Sequence, residues 1–83
     1  DEFTVEGKVH QLLHLLMEQP VVSFSKLFET AKNKSEIIAI FLAILELIRT
    51  KEIIVRQAEA FSEIEIVRNT SHMKAGMPEE IAG

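Results

Sequence analysis

Three side chains stand where a metal ion could be gripped. His10, His14 and Glu18 follow one another at four-residue spacing. On a helix they would line one flank, and two imidazoles with a carboxylate form a donor set that suits zinc. The arrangement is not the metalloprotease signature, because Gln11 occupies the place of the general-base glutamate in His-Glu-x-x-His. The same spacing also describes a solvated polar helix face, and that reading is preferred, so no metal and no cofactor are expected. Other chemistry is thinner still. The serines stand at helix starts, where capping accounts for them, and the isolated Gly7 cannot form a phosphate-cradling loop. Glu63 and Glu65 read as solvent-facing strand positions, while Glu79-Glu80 and His72 fall in a tail region. No nucleophile has a base in view, and no enzymatic activity is expected.

The elements that would position these groups follow from periodicity. Val5 to Glu18 is amphipathic at 100° per residue, with Val5, Val9, Leu12, Leu13, Leu16 and Met17 on one face. Lys8, Gln11, His14 and Glu18 lie opposite, and Leu15 is an exception on the polar side. Gln19-Pro20 ends the helix, since the residue before proline is driven out of the α region. Val21-Val22-Ser23 is short and β-branched, a single strand or bridge. A second helix of about two turns carries Lys26 to Ala31, capped by Ser23 or Ser25. After the turn Lys32-Asn33-Lys34, Asn33 is placed to cap a third helix running from Ser35 to about Thr50, with Glu36 reaching back as in a capping box. The period then switches. Ile53–Gln57 and Ile64–Arg68 both read as strands, joined by residues 58–62. In the second of these, Ile64 and Ile66 face one way and Glu65 and Val67 the other.

This order of helix, short strand, helix, turn, helix and hairpin is that of a winged helix: an α+β domain of three helices with a β-hairpin wing, spanning residues 5–68. Residues 69–83 read as a flexible tail, and Ser71-His72-Met73 as the remnant of an expression-tag or fusion junction. The chain opens Asp1-Glu2-Phe3 without an initiator Met, as a piece of a longer protein does.

The third helix is the informative one. Of the twelve residues from Ile37 to Ile48, eleven are apolar and only Glu46 is not. On a wheel, the large apolar side chains sweep an arc of roughly 220°, whereas burying one face on a core takes only about 100° or somewhat more. Either the helix runs through the middle of its domain or it keeps a second apolar face for a partner. An 83-residue chain offers little middle. The wheel divides into Ile40, Ala43, Ile44 and Leu47 on one side and Ile38, Phe41, Leu42 and Leu45 on the other, without saying which faces out.

Composition narrows the partner. Thirteen acidic residues against nine basic ones give a net charge of −4, the wrong sign for neutralising phosphates. Within residues 5–68 eight basic side chains meet nine acidic ones, so that part is nearly neutral. With no Trp or Tyr and five Phe, there is little surface for stacking on bases. The third helix would be the recognition helix of a DNA-binding winged helix, yet it offers Ile37, Ile38, Ile40, Phe41 and Leu42, which cannot hydrogen-bond base edges. A transcription-regulator-like DNA-binding domain is therefore the alternative, and a protein-interaction module the preferred reading. The absence of Cys excludes a disulfide framework and a thiolate zinc cluster. The longest apolar stretch, Ile37 to Leu45, is less than half of a membrane span of ~20 residues. No membrane partner is expected, and a cytoplasmic location is.

The run Ser35-Glu36-Ile37-Ile38-Ala39-Ile40-Phe41-Leu42-Ala43-Ile44-Leu45-Glu46-Leu47-Ile48, then Ile53-Ile54-Val55-Arg56-Gln57, then Ala60-Phe61-Ser62-Glu63-Ile64-Glu65-Ile66, resembles the C-terminal end of prokaryotic kleisins, the segregation and condensation protein A (ScpA) family. Val22-Ser23-Phe24 followed by Leu27-Phe28 also fits, and the resemblance covers residues 9–68. It implies a domain that docks the kleisin C-terminus on the ATPase head of an SMC protein, within a complex that condenses and segregates chromosomes at the nucleoid. ScpB would be bound by kleisin segments outside this chain, and nucleic acid would not be contacted directly. On this resemblance Ile38, Phe41, Leu42 and Leu45 face the SMC head, Ile40, Ile44 and Leu47 face the core, and the wing adds Ile54, Arg56 and Val67. Many relatives carry Gly after the wing Phe where this chain has Ser62, so the wing contacts do not transfer in detail.

Overall fold

The structure, a computed structural model, describes residues 3–70. Along the chain run α1 (Val5–Glu18), β1 (Val21–Ser23), α2 (Phe24–Glu29), α3 (Lys34–Arg49), β2 (Ile53–Gln57) and β3 (Ile64–Arg68). The three strands form one antiparallel sheet in the order β1-β3-β2. This is a small α+β winged-helix domain. The tail motif Ser71-His72-Met73 and the residues after it lie outside the described residues. Asn69, assigned to the tail on sequence, instead donates its backbone N–H to the Glu52 carbonyl at 3.0 Å and its side-chain amide to the Lys51 carbonyl at 2.9 Å.

Local chemistry sets the helix limits. Thr4 caps α1, its Oγ1 accepting from the Gly7 N–H at 2.9 Å. A Cβ on Gly7 would approach that oxygen to 3.0 Å, so glycine keeps the cap open. Asn33 caps α3 as expected, its Oδ1 accepting from the Glu36 N–H at 2.9 Å. The reciprocal half of the capping box is shifted by one residue, because the Glu36 carboxylate accepts from the Lys32 N–H at 2.8 Å and not from Asn33. α3 ends in a Schellman motif, with Glu52 N–H donating to the Leu47 carbonyl and Lys51 N–H to that of Ile48. Lys51 sits at the left-handed position of that motif with φ 65°.

α2 begins at Phe24, so of the two serines offered as caps Ser23 is the one at its start. Ser23 occupies the cap position without a side-chain cap bond. The first turn is satisfied from the wing, where the Glu63 carboxylate accepts from the Ser25 N–H at 3.2 Å and from its hydroxyl at 3.1 Å. Glu63 is therefore a structural acceptor rather than a bystander on a strand. Phe24 and Phe28, one helical turn apart, pack with ring centroids 5.0 Å apart and planes tilted by 57°.

The core joins α1, α3 and the inner sheet face through Leu12, Leu16, Val22, Ile40, Ala43, Ile44, Leu47, Ile53 and Ile66. Pairing places Val22 opposite Ile66 and Ile66 opposite Val55, so the central strand presents Ile66, fully buried, between two neighbours. Three assignments on α1 change. The buried line is Lys8, Leu12 and Leu16, at four-residue spacing. Packing on that line rotates the helix so that Leu15 turns partly inward while Met17 is left 68% exposed. Lys8, placed on the polar face by periodicity, is buried.

Candidate partner-binding surface

α3 carries two apolar faces. Glu36, Ala39, Ile40, Ala43, Ile44 and Leu47 are buried, following the i, i+3, i+4, i+7 rule for one packed stripe. Ile37, Ile38, Phe41, Leu42, Leu45 and Ile48 repeat the same spacing on the opposite side and are all 40–50% exposed. Ile38, Phe41, Leu42 and Leu45 are thus brought together on one open face, while Ile40, Ile44 and Leu47 lie in the core. Ile37 and Ile48 extend that face and were not singled out by the wheel, although the same periodicity contains them. Six large apolar side chains left half-open on one helix are more than the scattered exposure of an ordinary surface. Glu46 and Arg49 edge the face with an ion pair at 2.6 Å, and the Arg49 guanidinium holds the Glu46 carboxyl below the usual range.

The outer sheet face is a second, smaller surface. Register sets Val21 opposite Val67 and Val67 opposite Ile54, an apolar row across all three strands. The adjacent row is polar: Ser23, Glu65 and Arg56, with Arg56 donating to Glu65 at 2.8 Å. Ile54, Arg56 and Val67 therefore share one face of the sheet. Ile54 is half-exposed, Val67 partly buried, and Arg56 already engaged. Val21, which the sequence left as part of a bridge, completes the row because β1 pairs with β3.

The start of α3 is fixed by a buried ion pair. Lys8 Nζ donates to Glu36 Oε2 at 2.7 Å and to Gln11 Oε1 at 3.1 Å, with the Phe3 ring 5.0 Å away. The hydrogen bond from Lys8, aided by the Lys32 N–H, holds the Glu36 carboxyl below its ordinary value. The contact spans 28 residues of sequence, which helical periodicity has no means of revealing. Beside it lies a cleft of about 190 Å³, with Leu12, Leu15, Leu27 and Ile40 among its lining residues. That is smaller than the roughly 300–1,000 Å³ of small-molecule pockets.

His10, His14 and Glu18 are all exposed. Among the described residues no group of three or more His, Asp or Glu is placed to hold a metal ion. Among the same residues no helix is long and apolar enough to cross a membrane.

In this winged helix the third helix shows exposed apolar side chains where a DNA reader would place hydrogen-bond donors. Comparison with known proteins gives the family. Its profile, described as segregation and condensation protein ScpA, matches residues 3–68, and the chain belongs to that family. Segregation and condensation protein A of Thermoanaerobacter sp. (strain X514) is 41% identical over 64 residues, covering 77% of this chain and 26% of the relative. The protein of that name from Lactococcus lactis subsp. lactis (strain IL1403) is 38% identical over 68 residues, covering 82% and 28%. That from Streptococcus pneumoniae serotype 19F (strain G54) is 39% identical over 64 residues, covering 77% of this chain. The chain thus spans little more than a quarter of these relatives.

Proposed function

We propose that this domain is a non-catalytic docking module of an SMC–kleisin complex, serving chromosome condensation and segregation by fixing the kleisin C-terminus on the SMC ATPase head. The observation that carries this reading is the second apolar face of α3, with Ile38, Phe41, Leu42 and Leu45 at its centre. Membership of the ScpA family supplies the partner class. Burial of these side chains against the head provides the affinity, and the wing residues Ile54, Arg56 and Val67 add contacts at the side. ATP hydrolysis belongs to the head, and ScpB to kleisin segments outside this chain. A few large side chains dominate such interfaces, and Phe41, an exposed aromatic in mid-helix, is the leading candidate.

Calorimetric titration of the 83-residue chain against a purified SMC head, with duplex DNA as the parallel titrant, tests the reading. The head binds and DNA does not at physiological salt. Phe41→Asp abolishes head binding and leaves the circular dichroism spectrum unchanged. Binding to DNA alone, with a steep salt slope, would replace this reading with that of a DNA-binding winged helix.

A further inference from the structure

The turn joining β2 to β3 presents the most exposed large apolar side chain among the described residues. Phe61 is 101% exposed, and its backbone is left-handed, with φ 68°. Each property is a cost. A left-handed backbone suits Gly or Asn and disfavours a bulky L residue, and an aromatic ring left in water forgoes the burial it could gain. Among the described residues no packing of the ring offsets either cost, since it is fully exposed. The turn is nevertheless held stiffly. Ser62 Oγ accepts from the Glu59 N–H at 3.1 Å and donates to the Glu59 carbonyl at 2.8 Å, and the Gln57 amide donates to the Ser62 carbonyl at 2.8 Å. A strained residue held rigidly at a tip, with its ring in solvent, points to function outside the domain.

Charge decides what receives it. Residues 58–63 contain two carboxylates, Glu59 and Glu63, and no basic residue. Phosphate backbones and anionic lipid surfaces are repelled by such a tip, whereas an apolar protein socket with a basic rim complements it. β2 carries the tip and packs against α3, so the tip and the open helix face keep a fixed relation, as two points on one partner require. We propose that Phe61 is a second docking point, its ring entering an apolar socket with a basic rim on the same ATPase head that α3 engages. This rests on the docking function proposed above.

The test compares wild type, Phe61→Asn and Phe41→Asp in thermal melts and in titration against the purified ATPase head. Asn accepts the left-handed backbone, so Phe61→Asn melts at or above the wild-type temperature while its affinity for the head falls about tenfold or more. Wild-type affinity for Phe61→Asn, beside loss of binding for Phe41→Asp, would overturn the wing assignment and leave the α3 reading intact. A lowered melting temperature for Phe61→Asn would also overturn it, by showing that the ring packs within the domain. Failure of the wild-type chain to bind the head overturns both. Self-association in sedimentation that Phe61→Asn abolishes would assign the ring to a second copy instead, and binding to anionic vesicles that it abolishes would assign it to lipid.

Discussion

At the residue scale, two side chains do what composition alone would not assign to them. Lys8 and Glu36 form a charged contact out of water, tying the first helix to the start of the third. Burying charge is costly, and removing one partner strands the other. The sign of the pH dependence follows. Glu36 has a lower pKa folded than unfolded, so the unfolded chain takes up its proton first as the medium is acidified. The stabilisation is complete above the ordinary value of 4.5 and drains away as pH falls through the lower folded value. Glu36→Gln lowers the melting temperature at neutral pH and flattens the loss of stability on acidification below the ordinary carboxylate value, as thermal melts over a series of acidic pH values will show. The drop at neutral pH exceeds that of Glu46→Gln, whose pair with Arg49 is open to solvent. Lys51 offers the opposite kind of change. A side chain at a left-handed position costs roughly 1–2 kcal/mol, and glycine returns about 0.4–1 kcal/mol of that as unfolded-state entropy. Lys51→Gly is expected to stabilise the domain by about 0.5–1 kcal/mol, read as a rise of several degrees in melting temperature.

At the scale of elements, α3 separates a buried apolar stripe from an exposed one along a single helix. Ile44 and Leu47 are 2% exposed, while Leu45 between them is 45% exposed. Leu47→Ala opens a cavity and costs about 2–5 kcal/mol in denaturant unfolding, whereas Leu45→Ala changes stability by less than about 1 kcal/mol and registers in affinity for the head. The split of the wheel into two apolar sets was legible because helical spacing is rigid, and the hairpin strands were legible because the period switches after α3. What periodicity lacks is anything tertiary. The rotation of α1 onto Lys8, Leu12 and Leu16 depends on what α3 places opposite it. The satisfaction of α2 by Glu63 crosses 38 residues. Val21 joins the outer row only because β1 finds β3. Phe61 was visible in the sequence as one residue of a motif, but its left-handed backbone and full exposure are properties of a turn that only three dimensions display.

At the scale of the whole molecule, the near-neutral charge of residues 5–68 and two apolar surfaces favour association that is insensitive to ionic strength. The affinity of the wild-type chain for the head is expected to change by less than about threefold between 50 and 300 mM salt, in contrast to the orders of magnitude lost by a domain holding many phosphates. Titrations at several salt concentrations decide this directly, and a steep negative slope would mean that the charged rims, rather than the α3 face, carry the binding.

β3, the last strand of the sheet in sequence, is also its middle strand in space. A ribosome therefore completes the sheet only when residues 64–68 have cleared the exit tunnel, because until then β1 and β2 have nothing to pair with. A chain interrupted before Ile64 would leave Val22 and Ile53 uncovered and α3 without its sheet, so a truncated product is expected to be unfolded by circular dichroism and open to proteolysis. Partial synthesis is thus expected to yield no folded domain, and the surface proposed for docking would be complete only once the last strand has been made.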